Sequence, residues 1–123
     1  MSQLIYIVDD DASLLEVLQL ALEEHDYIPI GFAGAKAFWK KISKHKPDAV
    51  VLDIGLDGEQ GDQIAKKLKS SSEYKDLPVI LISADQSLSQ KAKASKADSY
   101  LAKPFSLDSL VYVIDSFISS RKE

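Results

Sequence analysis

Apolar residues along the chain follow two alternating patterns. Five short runs are wholly or largely apolar, which is typical of strands buried in a sheet. Between and after these runs, apolar residues recur every three or four positions, which indicates amphipathic helices. The predicted strands are residues 4–8, 28–32, 49–52, 79–82 and 99–102, and the predicted helices are centred on residues 13–24, 34–45, 64–68, 86–95 and 106–119.

Strands that alternate with helices predict an α/β fold with a parallel sheet and helices on both faces. The first, third and fourth strands are apolar throughout and should be central. Pro29 lies inside the second strand and lacks a donor for a ladder hydrogen bond, so that strand belongs at an edge. The fifth strand is short and mixed and should form the other edge. These constraints favour the doubly wound, flavodoxin-like order 2-1-3-4-5.

Local signals suggest where the helices begin and which residues they bury. Ser13 and Glu16 have the spacing of a capping box, and Ser106 can cap the last helix. The aromatic residues Phe38, Trp39 and Phe117 lie on apolar stripes and are predicted to be core residues. The last helix carries the clearest stripe, formed by Leu107, Leu110, Val111, Ile114, Phe117 and Ile118.

Composition narrows the range of functions. The 123 residues suffice for one domain, and 46% hydrophobic with 28% charged residues is an ordinary globular mixture. The absence of cysteine excludes disulfides and thiolate metal sites, and it fits the cytoplasm. No apolar run approaches the roughly 18 residues that a membrane span needs. A net charge of -4 disfavours direct nucleic-acid binding.

Polar side chains follow four of the five predicted strands at their carboxyl ends. Asp9–Asp11 come after the first strand, Asp53 after the third, Ser83 after the fourth and Lys103 after the fifth. The carboxyl ends of parallel strands meet at one edge of a sheet, where such folds bind their ligands. We therefore expect these groups to converge there.

The converging groups suggest metal-dependent phosphoryl chemistry. Clustered carboxylates repel one another and favour a hard divalent cation with oxygen ligands. Aspartate can also accept a phosphoryl group covalently. Asp53, alone at the end of a central strand, is the best acceptor, while Ser83 and Lys103 would contact the phosphoryl oxygens.

Four motifs resemble those of the receiver domains of two-component response regulators, including the chemotaxis regulators, over essentially the whole chain. They are Ile7-Val8-Asp9-Asp10-Asp11, Val51-Leu52-Asp53 with Gly61 eight residues later, Ile82-Ser83-Ala84, and Asp98-Ser99-Tyr100-Leu101-Ala102-Lys103-Pro104-Phe105. The resemblance implies that Asp53 receives a phosphoryl group from a phosphohistidine of a sensor histidine kinase or phosphotransfer protein.

The resemblance also implies the metal ligands. Asp10, Asp53 and the backbone carbonyl of Gly55 would contact Mg²⁺ directly, and Asp9 would act through water. Mn²⁺ is a possible substitute.

Further roles follow from the same resemblance. Ser83, the backbone N–H of Ala84 and Lys103 would bind the phosphoryl group. Ser83 and Tyr100 would form a coupled switch, with the fourth helix, fifth strand and fifth helix as the output face. The bond before Pro104 would be cis. Gly55 and Asp85 would border the site and tune the lifetime of the phosphorylated state.

Two positions depart from the family pattern. Asp57 stands where proline is usual, and Lys96 stands where glycine is expected. The first change predicts that residues 54–61 are mobile without metal. The second affects only local backbone geometry.

The residues after the predicted strands also bear on three other functions. An FMN site on the same fold would place a phosphate beside the three acids of the first strand, which would repel it. A Mg²⁺-dependent phosphatase would need acids two apart on one loop and room for a cap, and neither is visible. A receiver-like docking module that is never phosphorylated is the remaining alternative.

The predicted organisation is a single receiver domain over residues 1–123, either acting alone or excised from a longer regulator. It would be no enzyme beyond catalysing its own phosphorylation and dephosphorylation. The downstream effector is unknown, and we expect a monomer or a weak phosphorylation-dependent dimer.

Overall fold

The computed structural model describes residues 2–122, with side chains described up to residue 119. Within this range five strands alternate with five helices. Their bounds are β1 Leu4–Val8, α1 Ala12–Glu24, β2 Ile28–Phe32, α2 Ala35–Ile42, β3 Ala49–Asp53, α3 Gly61–Lys69, β4 Val79–Ser83, α4 Leu88–Ser95, β5 Ser99–Ala102 and α5 Leu107–Lys122.

The strands form one parallel sheet in the order β2-β1-β3-β4-β5, which confirms the predicted flavodoxin-like fold. Pro29 lies opposite Ile5 in the edge strand β2. The central strands β3 and β4 are buried at every position, whereas β5 alternates between half-buried and exposed positions. The composition of each run therefore determines its place in the sheet.

Alternate residues of each central strand pack into two separate cores. Tyr6, Val50 and Leu81 belong to the core covered by α2, α3 and α4. Ile7 and Val51 belong to the core covered by α1 and α5. Both faces of the sheet are therefore covered, as continuous apolar runs require.

The start of α1 differs from the prediction. The N-cap is Asp11, whose carboxylate accepts hydrogen bonds from the backbone N–H groups of Ser13 and Leu14, so the capping box assigned to Ser13 and Glu16 was wrong. An aspartate caps a helix as well as a serine and adds a charge that favours the helix N-terminus. At α5 the Ser106 cap is confirmed, because its hydroxyl accepts from the backbone N–H of Ser109.

Several helix details also differ. The observed α2 ends at Ile42 rather than near residue 45, and α5 continues to Lys122 rather than ending near residue 119. Leu107 is 37% exposed, because the first turn of α5 projects beyond the core. Phe38 is fully buried, while Trp39 and Phe117 are half-buried.

Lys96 adopts a left-handed conformation, with φ of 65°, as the C-cap of α4. This conformation favours glycine because it brings a Cβ atom close to the following carbonyl. The departure from the family pattern at this position therefore costs local backbone strain and leaves the helix end in place.

Candidate functional site

The carboxyl edge of the sheet gathers the polar residues that the sequence singles out. Asp9 follows β1, Asp53 ends β3, Ser83 ends β4 and Lys103 follows β5. The backbone of this edge is itself connected: the N–H of Ile54 donates to Ile82 and that of Lys103 donates to Ser83. The strand ends therefore hold these side chains in a fixed relation.

Lys103 joins two acids of the cluster. Its Nζ atom lies 3.1 Å from Oδ2 of Asp9 and 3.5 Å from Oδ2 of Asp53. Asp9 is completely buried and Asp53 is 6% exposed. Two carboxylates with little access to water thus share one ammonium group, which leaves a surplus of negative charge.

The carboxylates of Asp9, Asp10 and Asp53 each offer an oxygen, and these oxygens lie within 4.8 Å of one another. Oxygens bound to one octahedral magnesium, at about 2.1 Å from the metal, are separated by about 3–4 Å. The donor set is all oxygen and acidic, as hard cations prefer. The residues present therefore fit a magnesium ion.

The charge surplus is visible in the ionisation of the site. Burial raises the pKa of Asp53, the negative charge of Asp9 raises it further, and the Gly55 N–H and Lys103 only partly offset this. Burial opposes the charge of Lys103, but its contacts with Asp9 and Asp53 outweigh burial and raise its pKa. Asp53 is thus an acid that lacks sufficient positive charge nearby.

Ser83 presents its hydroxyl at the same edge. The hydroxyl oxygen accepts a hydrogen bond from the backbone N–H of Asp85 at 2.9 Å, which leaves its proton to donate. The Asp85 carboxylate is turned toward α4, where it accepts from Ser87 and pairs with Lys91. Ala84 is exposed and lines an apolar cleft of about 340 Å³ with Lys103 and Pro104.

Two glycines shape the surroundings of Asp53. The N–H of Gly55 donates to Oδ1 of Asp53 at 3.2 Å, and a Cβ atom at Gly55 would lie 3.8 Å from both carboxylate oxygens. At Gly61 a Cβ atom would lie only 2.3 Å from the backbone oxygen of Asp53. Gly61 is therefore needed for close packing of α3 against β3, whereas Gly55 leaves open space over the Asp53 carboxylate.

The remaining predicted residues lie at or near this edge. The Lys103–Pro104 peptide bond is cis. Tyr100 lies on β5 opposite Leu81 and is 46% exposed, so its ring is partly on the outer surface. Asp11 serves as the α1 cap.

One group near the site was missed by the sequence analysis. Glu59, in the loop between β3 and α3, accepts a hydrogen bond from the Trp39 indole and pairs with Lys67. These partners lie on three separate segments, and no local motif links them.

Among the described residues, no helix is long and apolar enough to cross a membrane.

Comparison with known proteins agrees with this geometry. Residues 5–115 match the family model of the response regulator receiver domain. Response regulator MprA of Mycobacterium ulcerans (strain Agy99) is 33% identical over 114 residues, which make up 90% of this chain and 48% of that protein. The chain therefore spans about half the length of the curated relatives it matches.

Solved structures show the same likeness. A candidate response regulator from Chloroflexus aurantiacus J-10-fl superposes with a TM-score of 0.91 at 30% identity, covering 97% of this chain and 99% of that one. Full-length FixJ from B. japonicum superposes with a TM-score of 0.85 at 25% identity, covering 97% of this chain and 59% of that one.

Proposed function

This chain belongs to the response regulator receiver domain family, and we propose that its Asp53 accepts a phosphoryl group from a phosphohistidine on a partner protein. The observation that carries the proposal is the arrangement of this one carboxylate. It ends a central strand, is nearly buried, contacts Lys103 and lies within reach of two further acids. The donor would be a sensor histidine kinase or a phosphotransfer protein.

The transfer requires little from the protein beyond positioning and charge neutralisation. A carboxylate oxygen of Asp53 would form a bond to phosphorus while the phosphorus–nitrogen bond of the phosphohistidine breaks. The leaving imidazole nitrogen keeps the electron pair and takes a proton from solvent. Lys103 would turn from Asp53 to a phosphoryl oxygen, and the Ser83 hydroxyl and the Ala84 N–H would donate to the others.

Magnesium, or manganese in its place, would be held directly by Asp10, Asp53 and the Gly55 carbonyl, with Asp9 acting through water. When bound, the ion would neutralise both the carboxylates and the incoming phosphoryl oxygens. The proposal is supported by the crowding of buried acids around a single lysine. Gly55 and Asp85 flank this site and would influence the lifetime of the phosphorylated state.

The consequence of phosphorylation would be a change in binding rather than turnover of a substrate. Receiver domains of response regulators are not classical enzymes, and this chain would catalyse only its own phosphorylation and dephosphorylation. Ser83 and Tyr100 would transmit the change to the face formed by α4, β5 and α5. Because the partner kinase would use ATP, the reaction would take place in the cytoplasm. The downstream effector would be a protein, without direct contact between this domain and nucleic acid. The domain would be a monomer or a weak phosphorylation-dependent dimer.

The alternative of a docking module without phosphorylation is not favoured, because acceptor, lysine, hydroxyl and metal-binding acids are all present. A nucleotide-type phosphate site is disfavoured by Asp9 and Asp10, whose negative charges lie where that phosphate would sit.

The test is phosphorylation by a small donor. The protein is incubated with Mg²⁺ and acetyl phosphate, and the intact mass is measured. We expect one phosphoryl adduct for the native chain and for Asp11→Asn, a matched acid at the same edge whose capping role asparagine preserves. We expect none for Asp53→Asn. An adduct that survives in Asp53→Asn, or none in the native chain, would contradict the proposal.

A further inference from the structure

The loop from Ile54 to Gln60 carries Gly55, the proposed backbone ligand for the metal, yet lacks the proline that is usual in the family. Asp57 occupies that position, and Gly58 follows with φ of 76°. Gly55, Asp57 and Gly58 are all exposed. Such a sequence gives the backbone little intrinsic stiffness, so side-chain contacts must define the path of the loop.

The first half of the loop is anchored by burial. Ile54 is 2% exposed and Leu56 is 4% exposed, and both belong to the core beneath α2 and α3. The next fixed point along the chain is the start of α3, where the backbone N–H of Gln60 donates to the Gln63 side chain and Gly61 packs against the backbone of Asp53. Four residues, 57–60, connect these anchors, and their path sets the direction in which the chain leaves Leu56.

Within residues 57–60, Glu59 contacts two helices. Its Oε1 atom accepts a hydrogen bond from Trp39 Nε1 at 2.7 Å, which ties the loop to α2. Its Oε2 atom lies 2.5 Å from Lys67 Nζ, which ties it to α3. Lys67 also lies over the Trp39 ring, 6.0 Å from its centre. We call Trp39, Glu59 and Lys67 the Glu59 clamp.

The clamp is ionic, and it is partly shielded from water. Burial opposes the negative charge of Glu59, but Lys67 and the Trp39 N–H outweigh it and hold the pKa of Glu59 below its usual value. The Glu59 side chain is only 21% exposed, whereas the Lys67 side chain is 65% exposed. A partly shielded carboxylate held by one hydrogen bond and one ion pair keeps its position more firmly than an exposed ion pair does.

We propose that Glu59 is a positioning residue that, through Trp39 and Lys67, fixes residues 57–60 and thereby aims the Gly55 carbonyl at the metal. The inference rests on the proposed function of Asp53 and its neighbours as a magnesium-dependent site. In this chain the side-chain contacts of Glu59 would restrain the loop, whereas a proline at position 57 would restrain it through its rigid ring. Partners that orient metal ligands commonly affect metal affinity without touching the metal.

The test measures Mg²⁺ affinity by isothermal titration calorimetry on the whole chain. The variants are Glu59→Gln, which removes the ion pair, Trp39→Phe, which keeps an aromatic ring but removes the N–H donor, and the double variant. Lys66→Met, an exposed lysine next to Lys67 on α3, is the matched control. Amide exchange of residues 55–60 and thermal unfolding are followed on the same samples.

We expect Mg²⁺ to bind about three- to tenfold more weakly to each single variant, at or below the usual effect of such orienting partners. The double variant should be less affected than the sum of the two single variants, since both changes release the same side chain, Glu59. Exchange should quicken in residues 55–60, and Lys66→Met should match the native chain. Should Trp39→Phe unfold, Glu59→Gln and Lys67→Met carry the same test.

Native affinity in the clamp variants, whether or not their unfolding temperature falls, would overturn this inference alone. A native chain that binds no Mg²⁺ would overturn the proposed function, and the inference with it. The two failures are therefore distinguished by the native chain itself.

Discussion

Two clusters of lysine and aspartate lie at opposite edges of the sheet and differ in their balance of charge. At the amino edge, Asp98 accepts from Lys69 at 2.7 Å and from the backbone N–H of Val79 at 2.8 Å, and Lys69 also donates to the Leu77 carbonyl. One carboxylate meets one ammonium, and both have further hydrogen bonds. This cluster is complete as it stands.

The cluster at the carboxyl edge is not balanced. Lys103 serves both Asp9 and Asp53, and Asp10 lies within the same group of oxygens. The environment raises the pKa of Asp53, first through burial and then through Asp9. The same residue types thus form a structural link at one edge and an electrostatically incomplete site at the other. An excess of one charge, rather than an ion pair as such, distinguishes the site that needs a ligand.

The largest effect should come from breaking the balanced cluster. Replacing Asp98 with alanine leaves Lys69 and the Val79 N–H without their acceptor, and the free energy of unfolding should fall by about 2–3 kcal/mol. Asp98→Asn, which keeps an acceptor for Val79, should lose less. Urea unfolding measures both. Phosphorylation of Asp53 should be unaffected in Asp98→Asn, and a loss there would mean that the two edges are coupled.

The next effect should come from completing the unbalanced cluster. At ten times its dissociation constant, Mg²⁺ should stabilise the native chain by about 1.4 kcal/mol. Differential scanning fluorimetry should then show a rise in the unfolding temperature of about 5 °C. Amide exchange in residues 54–61 should slow at the same time, because a metal bound by the Gly55 carbonyl would add a fixed point to those that burial and the Glu59 clamp already provide.

Asp53→Asn provides the control for this metal effect. It should lose most of the stabilisation by Mg²⁺, and without metal it should be at least as stable as the native chain, because it removes a poorly neutralised buried charge. A metal-free variant that is clearly less stable would show that Asp53 is already balanced by Lys103.

A smaller effect is expected from filling the open space beside Asp53, the proposed acceptor. A Cβ atom at Gly55 meets no atom closer than the 3.8 Å to the Asp53 oxygens, so Gly55→Met should fold. Its side chain should hinder the attacking water and slow dephosphorylation by about threefold, less than 1 kcal/mol in the barrier. Loss of the phosphoryl adduct is followed by intact mass. Unchanged or faster loss would contradict the role of Gly55 in lifetime.

The smallest effect concerns a third pair, Asp85 and Lys91, which is exposed at the carboxyl edge. Hydrogen bonds from Ser87, with Lys91 in addition, lower the pKa of Asp85 to about 2. Its contribution to stability is therefore full above the ordinary aspartate pKa of about 3.9 and is lost as pH falls through about 2. The difference in the free energy of unfolding between the native chain and Asp85→Asn should therefore shrink as the pH falls from about 3.9 to about 2. A difference that stays constant would contradict this assignment, and exposed Asp76→Asn is the control.

Much of the fold could be predicted because the relevant signals are local. Continuous apolar runs indicate central strands, and Pro29 alone assigns β2 to an edge. The convergence of Asp9, Asp53 and Ser83 could also be predicted, because parallel strands bring their carboxyl ends to one edge regardless of the loop conformations. The α1 cap was misassigned because Asp11 and Ser13 are both good capping residues, and only the backbone geometry separates them.

The contacts that were not predicted join distant segments. Trp39 and Glu59 are 20 residues apart, and Lys69 and Asp98 are 29 apart. Neither pair has a motif, because each contact depends on how helices pack on the sheet. The exposure of Leu107 at the start of α5 also depends on helix packing. Leu107 belongs to the apolar stripe in the sequence, but the core does not extend to this turn.

Trp39 is the single tryptophan of the chain, and its indole N–H donates a hydrogen bond to Glu59, in the loop that follows the proposed phosphoryl acceptor Asp53. An indole that gains or loses a charged partner and exchanges contact with water changes its emission. The protein therefore carries a built-in optical probe of its own loop, and stopped-flow fluorescence of the unlabelled chain could follow metal binding and phosphorylation in real time.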